Sequence, residues 1–321
     1  MPLEQQASQE LEMFRASVRK FMATEVAPHR DRWRKQGLVD RAAWQAAGKC
    51  GLLLTSLPVE YGGGGGDFRH EAVIIEELAR IAFLDFSIYL HSVVVAPYIH
   101  DCGTQAQRER WLPRMATGDC IGAIAMSEPS TGSDLRAIKT TATPVGDGFV
   151  IRGQKTFISN GALADIVIVA CKTRVESVEG VTLFVVERGT PGFEIGRHLE
   201  KVGRQAQDTV ELFFDDVKVT KDHILGEING GLRLLMSKLG SERLLIATKA
   251  VAAMEVALGE TIAYAKQREV FGKKVMDFQN TKFKLAEAAT QVEVARVFLN
   301  NCVDELVGGT LTDTKAAMAK L

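Results

Sequence analysis

The chain has 321 residues and a mass of 35.1 kDa, more than a single hydrophobic core ordinarily uses, so two or three packed units are expected. Hydrophobic residues at 46% and charged residues at 25% describe an ordinary globular protein and exclude extensive disorder. Lys plus Arg (39) nearly cancels Asp plus Glu (40), which excludes a global field that would draw the chain onto nucleic acid or an anionic membrane.

The opening residues Met1 to Gln6 carry neither a basic nor an apolar targeting stretch, and no long apolar run follows. The cysteines Cys50, Cys102, Cys120, Cys171 and Cys302 are scattered, with no C-x-x-C pair, so a reducing compartment and a cytoplasmic location are expected. From Gln9 to about Lys35, Leu11, Phe14, Val18 and Phe21 recur at three- and four-residue steps, the mark of one helix face. Helices are predicted around 41–52, 69–82, 86–100 and 105–115, parted by Pro58, the Gly62 to Gly66 run and Cys102-Gly103. The glycine run fits no phosphate-binding pattern and reads as a flexible interhelical loop. Residues 1–120 are thus expected to form a helical domain.

Between Ile121 and about Leu225 the texture changes to short β-rich runs such as Asp165 to Val169, Thr182 to Val186 and Thr209 to Phe214, punctuated by Gly-rich turns. An antiparallel sheet or small barrel over 121–225 follows. After Gly230-Gly231, long helices are predicted over 232–268 and 279–306. In the second, Leu285, Ala289, Val292, Ala295, Leu299, Val303 and Leu306 form a near-heptad seam for a bundle or an oligomer interface. A further helix begins near Thr312, inside a helical unit over 226–321. The fold class is therefore α+β, ordered helical, β, helical. The six histidines show no metal-ligand spacing, and no serine-hydrolase elbow is present.

Four places carry candidate chemistry. In Ile124 to Asp134 the hydroxyls of Ser127, Ser130, Thr131 and Ser133, with the open backbone of Gly132, can line an anionic cofactor such as a nucleotide pyrophosphate or simply form a Ser-rich turn. Phe157 and Ser159 stand two apart on a strand, so both are expected on one face, as an aromatic plane and a hydroxyl. Arg268 can fork onto phosphate oxygens or cap a helix C-terminus. Glu242 is either a general base or a surface carboxylate.

Ile124 to Asp134, Gln154 to Gly161, Asp208 to Phe214, and Gln267 to Gly272 ahead of Phe278-Gln279, taken in that order, closely resemble the signatures of the acyl-CoA dehydrogenase family. The resemblance implies FAD-dependent dehydrogenation of an acyl-CoA thioester to the trans-2-enoyl-CoA, with electrons passed to an electron-transfer flavoprotein. It implies that Met126 and Ser127 meet the flavin ring and that Gly132 and Ser133 lie near the pyrophosphate, Ser133 also near the acyl-CoA. Phe157 and Ser159 would face the isoalloxazine and its N5, where the family often has Trp and Thr. Arg268, Phe271 and Gln279 would reach the FAD of a neighbouring subunit in a homo-oligomer, a dimer or homotetramer. Glu242, in Ser241-Glu242-Arg243-Leu244, resembles the base of the long-chain and isovaleryl branch, with Ser241 and Arg243 contacting the CoA ester and helices over 86–100 and 232–243 walling the acyl tail. Members of the family continue through further helices and a Gly-rich segment, so a C-terminally truncated chain is expected, without the backbone donor which that segment supplies to the thioester carbonyl. The same resemblance leaves room for an acyl-CoA oxidase, a flavin monooxygenase or a non-catalytic helical scaffold.

Overall fold

The computed structural model describes residues 3–321 apart from 176, with side chains from residue 9 onward. Helix α1 (Leu3–Phe21) buries Val18 and Phe21 and rests Leu11 and Phe14 on the same core. It does not run on to Lys35. Met22–Val26 is a π turn and Ala27–His29 a 3-10 turn before α2 (Arg30–Gln36), because Pro28 has no N–H to continue an α ladder. The 86–100 helix is interrupted in the same way: a π turn at Leu90–Val95 leads into α5 (Ala96–Cys102), with Pro97 in its first turn. Between them stand α3 (Arg41–Lys49) and α4 (Phe68–Arg80), and α6 (Gln105–Ala116) follows behind a Thr104/Gln107 capping box. Trp33, Trp44, Trp111, Phe83, Phe86 and Tyr98 fill the helical core.

The glycine run is an ordered loop, contrary to the flexible one expected. The N–H groups of Gly63, Gly64, Gly65 and Gly66 donate to the carbonyls of Pro58, Leu54, Leu57 and Thr55 at 2.8–3.1 Å. A Cβ on Gly63 would stand 2.3 Å from the Leu57 carbonyl oxygen, so backbone packs on backbone where no side chain fits.

One sheet holds β1 (Gly122–Ala125), β2 (Thr141–Val145), β3 (Gly148–Ser159), β4 (Ile166–Val175), β5 (Val178–Glu187), β6 (Phe193–His198), β7 (Thr209–Thr220) and β8 (Ile224–Leu225). Its order is β6-β7-β3-β2-β4-β5-β8, with β1 also paired to β4. Most pairs are antiparallel as expected, but β1 and β2 both run parallel to β4. The β2–β3 hairpin lies between β1 and β4 in sequence and gives the chain length enough to return in the same direction. Strand β4 reads as an unbroken apolar run because both its faces are covered. Ile166, Ile168 and Ala170 meet the helical core, while Val167, Val169 and Cys171 enter a second core with Phe149, Phe184 and Leu212.

Helix α7 (Gly231–Gln267) spans 37 residues and leads through a hairpin, β9 (Glu269–Val270) and β10 (Lys273–Lys274), into α8 (Gln279–Val307) and α9 (Asp313–Lys320). Along α8, Leu299 and Val303 are buried and Leu285, Val292, Ala295 and Leu306 half-buried, but Ala289 faces solvent and Ala288 turns inward. The inward positions Leu285, Ala288, Val292, Ala295, Leu299, Cys302 and Leu306 step regularly by three and four, so Ala288 rather than Ala289 completes the seam. Arg296 fixes α8 in place, forking onto both oxygens of Glu255 on α7 at 2.6 Å and reaching Glu76 on α4 at 2.6 Å.

Candidate active site

Helix α7 places Glu242 on the side that meets α5. There the Tyr98 hydroxyl donates to Glu242 Oε1 at 3.1 Å. Burial pushes the Glu242 carboxyl up to about 6, while the Tyr98 hydroxyl, Arg243 and Lys238 pull the other way. One turn earlier, Lys238 pairs with Asp101 of α5, tying the two helices together beside the carboxyl. Ser241 is turned back on its own helix, its Oγ donating to the Lys238 carbonyl at 3.0 Å. Arg243 lies on the α9 side, with Nη1 3.9 Å from Asp313 Oδ1. Of the two helical segments expected to wall an acyl tail, each therefore supplies one member of the Tyr98–Glu242 pair.

The segment after β1 is stapled to β3. Lys155, 1% exposed, reaches Glu128 Oε1 at 2.9 Å and the Met126 carbonyl at 3.0 Å. The N–H groups of Lys139 and Thr140 donate to the same carboxylate at 2.6 and 2.9 Å, and Thr156 N donates to the Ser127 carbonyl at 3.0 Å. Burial alone would raise the Glu128 pKa, but these donors outweigh it and hold the carboxyl below its ordinary range. Met126 and Ser127 are thus half-buried and clamped on both sides, whereas Ser130, Gly132 and Ser133 face solvent and a Cβ on Gly132 would meet nothing within 4 Å.

The strand end that carries Phe157 and Ser159 is not a regular strand. A register shift between Lys155 and Ile158 puts a bulge there, and Phe157 sits at φ 60° with 70% of its surface exposed. Ile158 takes the core side, leaving both Phe157 and Ser159 away from it, but the bulge rather than simple alternation aims the ring. A large exposed aromatic held in the left-handed region is strain of roughly 1–3 kcal/mol that the fold's own packing does not require. Beyond it Asn160 N donates to the Asp208 carbonyl at 2.9 Å, and buried Asp208, its carboxyl pushed up to about 6 by burial, accepts from Leu163 N at 3.0 Å. The loop before β7 rests on the helical domain, with Ala206 N donating to Asp85 at 3.1 Å and Arg204 to the Tyr89 hydroxyl at 3.2 Å.

Arg268, Phe271 and Gln279 are not brought to Glu242 within one chain. Arg268 is 26 residues further along the chain from Glu242, roughly 39 Å at the helical rise, and all three residues are exposed at that far end, Phe271 by 95% at φ 52° in the hairpin turn. Sequence reasoning missed Tyr98 and the Lys155–Glu128 pair. A signal for the pair existed: Lys155 shares strand parity with the buried Phe149 and Ile151, and a lysine on a core-facing position needs an acid. No such signal marked Tyr98, which meets Glu242 only through packing.

Comparison with known proteins assigns the class. The acyl-CoA dehydrogenase N-terminal, middle and C-terminal domain models match residues 8–119, 123–217 and 229–321. The chain belongs to the acyl-CoA dehydrogenase family, whose members are flavoprotein oxidoreductases. Within it, the long-chain specific acyl-CoA dehydrogenase of Mus musculus mitochondria is 45% identical over 98% of this chain and 74% of that protein. The mitochondrial isovaleryl-CoA dehydrogenase of Pongo abelii is 36% identical over 92% of this chain and 71% of that protein. An acyl-CoA dehydrogenase from Geobacillus kaustophilus of known crystal structure superposes with a TM-score of 0.94 at 45% identity, covering 97% of this chain and 83% of that one. The protein is an acyl-CoA dehydrogenase-type oxidoreductase. Among the described residues, no helix is long and apolar enough to cross a membrane.

Proposed function

We propose that this chain dehydrogenates an acyl-CoA between its α and β carbons, with Glu242 as the base. The observation that carries the reading is the Glu242 carboxyl: half-buried beside Tyr98, pushed up to about 6, yet ionised at neutral pH. A carboxylate in that state takes a proton from carbon more readily than a free glutamate does. Tyr98 holds the carboxylate oxygen in place, and an acyl chain lying along α5 and α7 excludes water from it. Ser241 and Arg243 flank the base in sequence and would reach the CoA ester by turning from the Lys238 carbonyl and from Asp313 respectively.

The residues present fit FAD. Exposed Phe157, strained in its bulge, offers a plane with no aromatic or cationic partner among the described residues; Ser159 follows it on the strand, and Ser127 and Met126 are bonded through their carbonyls to Thr156 and Lys155 just before it. The open Gly132-Ser133 turn offers donors for a pyrophosphate. FAD, when bound, supplies the acceptor for the β-hydrogen and its two electrons. The exposed Arg268, Phe271 and Gln279, with Phe283, Val294 and Val297 uncovered on one side of α8, suit a second subunit whose FAD they would reach, in a dimer or homotetramer. Electrons then leave to an electron-transfer flavoprotein. The units 1–120, 121–225 and 226–321 divide this work into acyl wall, flavin cradle and base-bearing bundle. Free cysteines throughout support a reducing setting.

The test is anaerobic titration of the FAD-reconstituted protein with acyl-CoAs of graded length, following the flavin absorbance band. Bleaching is expected. Yellow flavin that no acyl-CoA bleaches would overturn the reading, and rapid reoxidation by air would replace the electron-transfer flavoprotein with oxygen.

A further inference from the structure

Seven residues beyond Glu242 on α7 lies Lys249, 8% exposed, its Nζ 4.5 Å from the centre of the Tyr89 ring. No carboxylate pairs with it among the described residues. Arg204, from the loop before β7, approaches the same spot, donating to the Tyr89 hydroxyl at 3.2 Å, and it too has no acidic partner among the described residues. Asp85, the acid near this cluster, is already engaged by Ala206 N at 3.1 Å and Arg34 at 3.9 Å. The neighbouring cation Lys201 is satisfied by the Gln207 carbonyl and Thr209 Oγ1. Two cations thus converge on one tyrosine, and among the described residues neither is paired with a carboxylate. Burial, reinforced by Arg204, pushes the Lys249 ammonium down to about 7, a cost that a bound anion would reverse.

The position of this pair says which anion. Seven residues are two helical turns, about 10 Å along the axis, so Glu242 and Lys249 share one face of α7. Leu245 and Ile246 lie between them on that face, and Ile246 is exposed. The opposing segment runs the other way: Tyr98 meets Glu242, and Tyr89 meets Lys249. The two contacts bracket a strip with a carboxylate at one end, apolar side chains in the middle and paired cations at the other.

We infer that Lys249 and Arg204 close the far end of the acyl site and select an acyl-CoA whose acyl terminus carries a carboxylate. This rests on the dehydrogenase reading and names its substrate class. A dicarboxylyl chain of medium length reaches from the base to the cations and completes both of their charge-assisted hydrogen bonds. A methyl terminus would strip water from the cations and give nothing back, so the same pair also rejects fatty acyl chains of that length.

The test compares adipyl-CoA with hexanoyl-CoA, and suberyl-CoA with octanoyl-CoA, by anaerobic flavin bleaching and by direct calorimetric binding. At least one dicarboxylyl ester is expected to bind about tenfold or more tighter than its partner, the scale of one charge-assisted hydrogen bond. Lys249→Met should bring that ratio to about one, Lys249→Arg should keep it, and Arg204→Gln, at a half-exposed site, should lower it. If the fatty acyl-CoAs bleach the flavin and the wild-type ratio is one or less, the selectivity inference is overturned and the dehydrogenase reading stands. If no ester binds or bleaches, both fall. If Lys249→Met alters FAD affinity or the flavin spectrum but leaves the ratio unchanged, the cations face the cofactor and the inference is likewise overturned.

Discussion

Glu242→Gln separates the proposed base function from the scaffold, because the amide keeps an oxygen for the Tyr98 hydroxyl and removes only the charge. Flavin bleaching by acyl-CoA should be lost while FAD stays bound. The same change should make the cofactor-free protein more stable at neutral pH. The folded carboxyl titrates at about 6 against an ordinary 4.5, so the folded state holds the proton more tightly. Above both values the wild type carries a penalty for a buried charge of about 2 kcal/mol, the energy of moving the titration from 4.5 to about 6. Glutamine escapes that penalty at pH 7.5, and the gain should fade as pH falls from 6 through 4.5, below which glutamate is protonated in both states. Urea unfolding of the two proteins at pH 7.5 and at the lowest pH the fold tolerates reads the difference directly. A gain that is the same at every pH, or a loss at pH 7.5, would refute burial as the source of the perturbed carboxyl. The flavin-reducing rate of the wild type should correspondingly drop as pH falls through about 6.

Lys155→Met leaves Glu128 buried without its cation, which should destabilise the fold by about 3–5 kcal/mol and loosen FAD more than a surface change does; chemical denaturation and flavin release measure the two. Phe157→Gly should act oppositely on its two readouts, stabilising the cofactor-free protein by roughly 1 kcal/mol through relief of the left-handed backbone while weakening FAD binding. Equal or lower stability would mean that the ring is supported by its own fold. Gly63→Ala should destabilise by more than about 1 kcal/mol because its Cβ has no room, whereas Gly132→Ala should leave the melting temperature unchanged, a contrast readable by calorimetry. Arg268→Ala should weaken FAD retention without altering the pH dependence of the base, and unchanged FAD affinity would count against a role at the cofactor.

The helical, β, helical order was legible from periodicity alone, because the apolar stripe of α1 and the unbroken run of β4 each report how many of their faces are buried. Glu242 was legible only through its setting beside Arg243 and Leu244. What the sequence could not specify were departures from regular geometry and contacts between distant segments. Proline broke two expected helices into π and 3-10 turns, the bulge at Phe157 replaced simple alternation, and the glycine run folded into an ordered loop on residues 54–58. Local pattern carries information on burial because it depends on neighbours within a few residues. The hydrogen bond from Tyr98 to Glu242 spans 144 residues, Glu128 and Lys155 meet across 27, and Lys249 faces Tyr89 from another domain. Those pairs set the charge state of Glu242, the shape of the loop after β1 and the charge around Tyr89, and only packing decides them.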